Sequence, residues 1–414
     1  MGRHLTWFLT TLLILVLLQG GTARDLRNVT EPKNPQICTT LKPSGGDETK
    51  TIQKALDTCS KGKAVALSSG TFLSGPLTIP SGVSLLVDQN ATLAALTTAA
   101  LYDRGRNTCG TIDDYGSGCK PFITINGATG SGIYGKGIIN GRGDTRMTGT
   151  DITWWHLARN ALAVHRLENN PSLIYINNSV DITLYQITVI KSPFYHVQSA
   201  LTFGLTVWGI TINTIGSALN SDGVDPTGSM NVTIAHCNIS TGDDNIAISS
   251  LYAPARHISV YNNYFGHGNS MGIGSGTIYG VSEITVSNLT MNNVRYGLYI
   301  KSNTLNGGLV TNVTYDNVCI LNSPWPITLD TRYYQKTGNH TPEFTNISFD
   351  NVRVLTNGTF IFHGVSQSVP VTATMNKVHV AKGSKWSVRY AQINGTWEDD
   401  ASGDSCGNFG NKYV

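Results

Sequence analysis

Six segments between residues 182 and 315 read ITL (182–184), LTV (205–207), VTI (232–234), ISV (258–260), ITV (284–286) and VTY (313–315). Their first residues are 23, 27, 26, 26 and 29 positions apart, and Asn- or Gly-rich turns separate them. A period in the twenties built from strands is typical of a solenoid. A leucine-rich repeat has a similar period, but its Leu/Asn consensus is missing, and a β-sandwich places a strand every ~8–12 residues. The sequence therefore predicts an all-β fold, a right-handed parallel β-helix with coils about 4.8 Å apart.

The composition of the 414-residue chain agrees with a turn-rich β protein. Charged residues make up only 13%, apolar residues 40%, and there are 44 glycines. A disordered chain has low hydrophobicity and high net charge, so this composition argues against disorder. The large number of glycines indicates many turns and excludes a helical bundle. The formal net charge is +3, without a run of Lys or Arg. Nucleic acid is therefore not an expected partner, whereas a polyanionic substrate is permitted.

The amino terminus has the pattern of a secretory signal. Arg3 and His4 precede an apolar stretch at 5–18, and Gly21-Thr22-Ala23 offers a small-residue cleavage site. About 14 apolar residues are short for the ~20 that span a bilayer. We therefore predict that residues 1–23 are a signal peptide, that the protein is secreted and extracellular, and that no segment is embedded in a membrane.

Cysteines and glycosylation sequons fit an oxidising secretory route. Cys38–Cys59 and Cys109–Cys119 each close a short loop and are the predicted disulfides. The total of seven cysteines leaves at least one thiol unpaired, and the spacing matches no zinc site. Cys237 and Cys319 lie in strand-like runs, so we expect buried apolar residues there. Eleven Asn-X-Ser/Thr sequons are possible glycan sites, among them Asn90, Asn231, Asn312 and Asn357.

The chain before residue 170 reads as the opening of the same solenoid. Residues 47–59 (DETKTIQKALDTC) have helical spacing at Ile52, Ala55 and Leu56. We predict a short N-terminal helix that caps the core, where an exposed strand edge would invite aggregation. No Pro- or Ser-rich linker divides the chain, so residues 24–414 are predicted to form a single parallel β-helix catalytic domain.

Four polar motifs fall at the spacing of one coil. They are NSDG (220–223), GDD (242–244), GHG (266–268) and YIK (299–301). Asp222 and Asp243 are 21 residues apart, Asp244 and His267 are 23 apart, and Lys301 follows after one coil and a loop. Because one coil returns the chain to nearly the same angular position, these side chains are predicted to stack on one face.

Such a cluster has a chemical use. Crowded carboxylates cannot all ionise easily, so one can keep a proton while the others activate water, which is what glycosidic hydrolysis needs. Each residue alone has a plainer interpretation, since an Asp in an Asn/Gly-rich turn is usually a turn former. Asp243 and Asp244 alone could bind calcium, and Lys301 alone would be a surface lysine. The shared register favours a catalytic face.

These four motifs, in this order and spacing, resemble the polygalacturonases and related pectin hydrolases of glycoside hydrolase family 28. The segments 47–56 (DETKTIQKAL) and 70–87 also resemble this family, and the likeness covers roughly residues 40–335. The resemblance implies a right-handed parallel β-helix, hydrolysis of α-1,4-galacturonosyl links in de-esterified pectin, and no cofactor or metal. It also implies inversion at the anomeric carbon, although carboxylates only ~5 Å apart usually indicate retention.

The resemblance also assigns roles by position. Asp243 would be the general acid, Asp222 and Asp244 would activate the water, and His267 would support the acid. Asn220 would hold the site, and Lys301 would bind a substrate carboxylate. Tyr333, in the segment DTRY (330–333), is similar to a tyrosine that contacts the sugar.

Two positions depart from the family pattern. Ser221 stands where Thr is usual and keeps the hydroxyl, whereas Tyr299 stands where an arginine usually grips the galacturonate carboxylate with Lys301. Losing one charged hydrogen bond costs about 1.5–3 kcal/mol, so Tyr299→Arg should raise activity if this position is the handicap. Tyr299 could instead stack on a sugar, and Arg332 could supply the missing cation.

Three functional hypotheses follow from these departures. The first is a secreted, monomeric polygalacturonase, endo- rather than exo-acting, with polygalacturonate as substrate and polygalacturonase-inhibitor proteins as possible partners. The second is a hydrolase of a decorated pectin, xylogalacturonan or rhamnogalacturonan, with Tyr299 as a binding residue. The third is an inactive decoy that binds pectin or an inhibitor, which the three intact carboxylates disfavour.

Overall fold

The computed structural model describes residues 24–407, so the predicted signal peptide lies outside the described residues. Three helices are present in this range: α1 (Thr49–Thr58), α2 (Ala99–Tyr102) and α3 (Trp154–Ala163). A 3₁₀ turn spans Tyr333–Gln335. None of these helices, within residues 24–407, is long and apolar enough to cross a membrane.

Residues 24–407 contain 32 strands, which follow one another at short intervals. The first half of the chain contains β1 (Gln36–Leu41), β2 (Lys63–Leu67), β3 (Gly70–Ser74), β4 (Leu77–Thr78), β5 (Ser84–Val87), β6 (Ala91–Ala95), β7 (Ile112–Asp113), β8 (Ile123–Asn126), β9 (Gly132–Tyr134), β10 (Ile138–Asn140), β11 (Leu167–Glu168), β12 (Ile174–Asn177), β13 (Val180–Tyr185), β14 (Thr188–Ile190), β15 (Val197–Ala200) and β16 (Phe203–Trp208). The second half contains β17 (Thr211–Asn213), β18 (Val224–Thr227), β19 (Met230–Ala235), β20 (Asn238–Ser240), β21 (Ile246–Ile248), β22 (Ala255–Phe265), β23 (Met271–Ile273), β24 (Val281–Asn292), β25 (Tyr296–Lys301), β26 (Leu309–Leu321), β27 (Trp325–Asp330), β28 (Glu343–Val354), β29 (Thr359–His363), β30 (Val371–Ala381), β31 (Lys385–Arg389) and β32 (Ala391–Ala401).

Nearly all of these strands belong to two long sheets of parallel strands. The 11-stranded sheet contains one strand from each coil, in the order β4, β8, β12, β15, β18, β21, β23, β25, β27, β29 and β31. The 19-stranded sheet supplies the other walls, and from β22 onward two short strands of each coil merge into one long strand. A small antiparallel pair, β7 with β11, lies outside this pattern. The chain is the right-handed parallel β-helix that the repeat predicts.

The register confirms the repeat residue by residue. Ile182 pairs with Leu205, Leu205 with Val232, and Val232 with Ile258. The same ladder continues from Ile258 to Ile284 and from Ile284 to Val313. All six residues are fully buried, so each coil stacks the same apolar position on the one before it. Burial of this ladder inside the coils stabilises the solenoid by the hydrophobic effect.

The predicted capping helix is confirmed as α1. Its Ile52 and Leu56 are fully buried in the core of the first coil. On the same helix, the Gln53 side chain accepts a hydrogen bond from the backbone N–H of Thr78 and donates one to its carbonyl. Thr78 lies in β4, the first strand of the 11-stranded sheet. The helix therefore occupies backbone groups that an open sheet edge would leave free.

Asparagine ladders hold the corners of the coils. Asn262, Asn288, Asn317 and Asn351 have positive φ between 50° and 56°, a conformation that Asn tolerates better than most residues. Their side-chain amides bond from one coil to the next at 2.6–2.9 Å. This stacking explains much of the asparagine content of the chain.

The four sequons named above divide into two groups. Asn90 and Asn357 are exposed, whereas Asn231 is buried and its side-chain oxygen accepts the backbone N–H of Leu26. The amide nitrogen of Asn312 donates to Glu283 at 2.6 Å. A glycan on Asn231 or Asn312 would disrupt these contacts, whereas the exposed side chains of Asn90 and Asn357 make no such contact within residues 24–407 that a glycan would break.

Three disulfides are formed within residues 24–407. Cys38–Cys59 and Cys109–Cys119 are the two that the sequence predicts, and a third joins Cys319 to Cys406. Cys319 is buried, as expected, but it is half of a disulfide and not an isolated apolar residue. Its partner is 87 residues away, a separation from which spacing alone indicates no pairing. Cys237 is the buried free thiol among the described residues.

Candidate active site

Three of the four motifs lie just before β18, β21 and β23 of the 11-stranded sheet, and the fourth, YIK, ends β25 of the same sheet. Asp222 lies in the turn that precedes β18, and Asp243 and Asp244 lie in the turn that precedes β21. The backbone N–H of Gly223 donates to the carbonyl of Asp244 at 2.9 Å, which stacks the second turn on the first. Each carboxylate is thus placed by the coil geometry.

Ser221 ties the two acidic turns together. Its hydroxyl donates to the Ala218 carbonyl at 2.7 Å and accepts the backbone N–H of Gly242 at 3.0 Å. A side chain on Gly242 would collide with the Ala218 carbonyl, so only glycine fits at the first position of the GDD motif. The hydroxyl that Ser221 shares with threonine is therefore the part of the side chain that the turn uses.

Asp222, Asp243 and Asp244 converge on one point. One oxygen from each carboxylate lies within 4.8 Å of the others. Three carboxylates this close could hold a cation, but the nearest positive charge here is the protein's own lysine. The ammonium of Lys301, from β25, contacts Asp244 at 2.6 Å.

The Asp244–Lys301 pair is buried, and both carboxylate oxygens of Asp244 accept a hydrogen bond. Asp244 is 3% and Lys301 7% exposed, and the second oxygen of Asp244 accepts the Ser270 hydroxyl at 2.6 Å. Burial would lower the pKa of Lys301, but Asp244, Tyr333 and Asp243 together outweigh this effect and raise that pKa. The lysine is thus held charged, and its ammonium bonds Asp244 directly.

Asp243 is held differently. Its side-chain oxygen accepts the amide of Asn269 at 2.8 Å and the backbone N–H of Asp244 at 2.9 Å. Burial, and then the charge of Asp244, raise its pKa, while Lys301 opposes the rise. Asp243 is therefore the member of the GDD motif that gains a proton more easily than a free aspartate.

A fourth carboxylate, Asp225, completes the cluster. It is 7% exposed in β18, and one of its oxygens has no hydrogen-bond partner. Burial and the neighbouring Asp244 and Asp243 raise the pKa of Asp225, and burial and Asp243 raise that of Asp222. Asp225 is not among the predicted site residues, although its place three residues after Asp222, at the start of a strand-like run, was a usable signal.

His267 lies beside the cluster, not within it. Its Nε2 lies 2.8 Å from the carbonyl of Thr214, which accepts a hydrogen bond and so fixes the proton on Nε2. Among residues 24–407, no hydrogen bond joins His267 to the three carboxylates. A second histidine, His196, is fully buried beneath the site and bonds the Asp222 carbonyl and the Thr214 hydroxyl.

Asn220 is oriented by a residue that the sequence did not indicate. Its amide donates to Glu168 at 2.6 Å, and Glu168 lies in the small antiparallel pair outside the coils. Burial raises the pKa of Glu168, and the Asn220 amide opposes this rise. The partners are 52 residues apart, so only the fold brings them together.

Only some of the predicted aromatic and cationic binding residues lie in the cleft. Tyr333 and Lys301 lie in the cleft, with the Lys301 ammonium 5.1 Å from the Tyr333 ring centre. Tyr299 is only 4% exposed and stacks on Tyr296 at 4.4 Å, so it presents no ring face to a sugar. Arg332 is exposed and borders neither cavity described below.

Two connected cavities meet at Asn220 and Asp243. The first, of about 290 Å³, contains Asp222, Asp225, Asp243 and Asp244 with Lys301, and we call it the acidic cavity. The second, of about 1230 Å³, we call the basic cavity. Its acidic and basic lining residues, histidines included, are His165, Arg166, Glu168, Asp243, His267, Arg295 and Lys336.

Comparison with known proteins agrees with this site. The family model for glycosyl hydrolases family 28 matches residues 59–403, which extends the likeness through the C-terminal coils. An endo-polygalacturonase of Pectobacterium parmentieri is 43% identical over 386 residues, covering 92% of this chain and 96% of the relative. A polygalacturonase of Ralstonia solanacearum is 36% identical over 377 residues, covering 79% and 71%.

A solved structure gives the same result. The polygalacturonase from Erwinia carotovora ssp. carotovora superimposes with a TM-score of 0.87 at 42% identity, covering 90% of this chain and 100% of that one. The family match at residues 59–403 contains both acidic turns and nearly all of the coils. The chain therefore belongs to glycosyl hydrolases family 28.

Proposed function

We propose that this protein is an endo-polygalacturonase that hydrolyses α-1,4-galacturonosyl linkages of de-esterified pectin. The observation that carries the proposal is the convergence of Asp222, Asp243 and Asp244 within 4.8 Å, between the buried Lys301 and the basic cavity. The family, and the endo-acting relatives at 43% identity, support this substrate and reaction.

Asp243 acts as the general acid. Its raised pKa, caused by burial and by Asp244, keeps a proton available for the glycosidic oxygen. The Asn269 amide and the backbone N–H of Asp244 bond one of its oxygens and leave the other for the substrate. Proton transfer to the leaving oxygen then breaks the bond to the anomeric carbon.

Asp222 and Asp244 activate the attacking water. The Lys301 ammonium and the Ser270 hydroxyl each donate to one oxygen of Asp244, and together they fix the orientation of its carboxylate. The nearest oxygens are closer than the ~6.5–9.5 Å between carboxyl groups in most inverting enzymes. We nevertheless propose inversion, as the family implies, because both residues can bind one water while Asp243 faces the leaving group.

The remaining candidates bind the substrate or support the acid. Lys301 and Tyr333 border the acidic cavity, where they can contact the sugar next to the cleaved bond. His267 lines the basic cavity beside Asp243, with Nδ1 as the ring nitrogen not bonded to Thr214. Asn220, fixed by Glu168, lies where the two cavities meet.

The deciding experiment follows reducing-end release and viscosity together on de-esterified polygalacturonate. A rapid fall in viscosity with little sugar release, abolished in Asp243→Asn, is the expected result. Sugar release without loss of viscosity would show exo action. No turnover by the wild type would refute the proposal and favour the decoy hypothesis.

The stereochemistry has its own test. Inversion at an α-linked sugar releases a product whose new reducing end is β. Proton NMR during the first minutes of hydrolysis, before mutarotation, should therefore show the β-anomer first. Initial release of the α-anomer would establish retention.

The structure weakens the motive for a decorated substrate. That hypothesis rested on Tyr299 stacking against a sugar, but the ring is packed against Tyr296 and borders neither cavity. We further propose that the protein is secreted after removal of residues 1–23, acts as a monomer, and can be bound by polygalacturonase-inhibitor proteins. The three disulfides support an extracellular location.

A further inference from the structure

Arg295 has an unusual setting on the wall of the basic cavity. It is exposed, immediately before β25, and its guanidinium carbon lies 5.5 Å from the ring centre of Tyr296 and 5.7 Å from that of Trp325. These two rings stack on each other at 5.0 Å, and Tyr296 also stacks on the buried Tyr299. The guanidinium therefore lies against the stacked rings of Tyr296 and Trp325, which we call the aromatic shelf, and this pair is packed on the buried Tyr299.

This cation has no acidic partner among residues 24–407. The other arginine of the basic cavity, Arg166, is paired with Asp114 at 2.8 Å. An unpaired guanidinium held over aromatic rings is weakly hydrated and pre-organised, and its planar fork matches a carboxylate. This environment suits a side chain that binds an anionic ligand.

The backbone places Arg295 close to the reaction centre. Its N–H donates to the Gly268 carbonyl at 2.9 Å, and the N–H of Tyr296 donates to the Asn269 carbonyl at 2.7 Å. Asn269 in turn bonds Asp243. Arg295 is thus two coils from Asp243, about 10 Å along the axis at the usual strand spacing.

The usual carboxylate-binding arginine of the family is missing at position 299, and the structure offers no replacement there. Tyr299 is buried and Arg332 borders neither cavity. Arg295, however, lines the same cavity as Asp243 and His267. Among residues 24–407, a guanidinium is therefore absent from the lining of the acidic cavity, where Lys301 is the cation, and present in the lining of the basic cavity.

We infer that Arg295 binds the carboxylate of a galacturonate unit in the basic cavity, away from the cleaved bond. This inference rests on the proposed function, since it concerns the same polyanionic chain. Lys336, which is exposed in the same cavity, adds a second positive charge to this position. The aromatic shelf holds the guanidinium, so the fork binds with little loss of side-chain entropy.

The test is calorimetric titration of a galacturonate oligomer into Asp243→Asn, with and without Arg295→Ala. We expect about tenfold weaker binding without the arginine, as for one charge-assisted hydrogen-bonded contact. Arg295→Lys should recover part of this loss, because the charge remains but the fork is lost. Arg256→Ala, which removes an exposed arginine on the other sheet, is the matched control and should not change the affinity.

Repeating the titration with the methyl-esterified oligomer identifies the group that is bound. The effect of Arg295→Ala should disappear, because the ester has no charge. Equal affinity of the two variants for the free acid, or the same loss with the ester, would overturn the inference. The proposed function is judged separately, by turnover of polygalacturonate by the wild type, while Arg295→Ala should raise KM and leave kcat nearly unchanged.

Discussion

The acidic and basic cavities share Asp243 and Asn220 but use charge in opposite ways. In the acidic cavity four carboxylates surround one lysine, and Asp225, Asp244 and Lys301 are all less than 9% exposed. In the basic cavity the cations Arg295 and Lys336 are exposed and have no acidic partner within residues 24–407. Buried charges perturb one another strongly, whereas exposed ones act mainly on a ligand.

This difference indicates a division of labour along one cleft. Crowding and desolvation raise the pKa of Asp222, Asp225 and Asp243, which is useful for proton transfer but unfavourable for holding a polyanion. The solvated cations next to them attract that polyanion without the desolvation penalty of a buried ion. We therefore propose that the acidic cavity carries the proton transfers and that the basic cavity contributes mainly to binding of the polyanion.

The largest expected effect is on kcat, from Asp243→Asn. Removal of a general acid should lower kcat by about 10²–10⁴-fold while KM stays nearly the same. Asp151→Asn, whose side chain is 99% exposed, is the control and should keep full activity. Reducing-end assays that found kcat within tenfold of wild type would break the assignment of chemistry to the acidic cavity.

Lys301→Met tests whether the buried charges support one another. Loss of the lysine leaves the Asp244 carboxylate buried and unpaired, which should lower the free energy of unfolding by about 3–5 kcal/mol. The exposed pair Lys191–Asp144 gives the contrast, since Lys191→Met should cost less than about 1 kcal/mol. Urea denaturation of both variants measures the difference, and equal costs would contradict the distinction between buried and exposed charge.

Asp225→Asn addresses the pH dependence of stability. Burial and Asp244 raise the folded-state pKa of Asp225. The contribution of this residue to the free energy of unfolding is therefore fully present below its unfolded pKa of about 3.9. It is lost as the pH rises through the folded pKa, by about 1.4 kcal/mol for each pH unit between the two pKa values. Urea unfolding at a series of pH values should show that the free energy of unfolding falls less steeply with pH in the variant than in the wild type. Equal slopes for the two proteins would contradict the prediction.

Ionic strength should affect the two cavities differently. Screening lengths fall from about 10 Å at 0.1 M to about 3 Å at 1 M salt, so exposed cations lose their attraction. We expect KM for polygalacturonate to rise several-fold over this range while kcat changes little. The rise should be smaller in Arg295→Ala, and a fall in kcat alone would locate the salt effect in the acidic cavity.

Tyr299→Arg is expected to have the smallest effect. If Arg295 already supplies a carboxylate contact, the family arginine should change kcat/KM by less than about fivefold. A gain of an order of magnitude would show instead that position 299 is the handicap. The double variant with Arg295→Ala then shows whether the two cations replace each other.

The sequence determined the fold because the repeat is local. Ile182, Leu205, Val232 and Ile258 are register partners at the intervals that their positions in the chain predict. In a solenoid each coil packs mainly on its neighbours, so sequence spacing translates directly into position in space. For the same reason Asp222, Asp243, Asp244 and Lys301 were placed on one face correctly.

Contacts between residues that the repeat does not relate depend on the tertiary structure. Asn220 meets Glu168 from outside the coils, His267 bonds Thr214 and not a carboxylate, and Cys319 joins Cys406. Burial of Tyr299 and exposure of Arg295 depend on how Tyr296 and Trp325 stack between coils. A repeat fixes which coil a residue occupies, but side-chain packing between distant segments determines which groups are buried, which are paired and which remain free for the substrate.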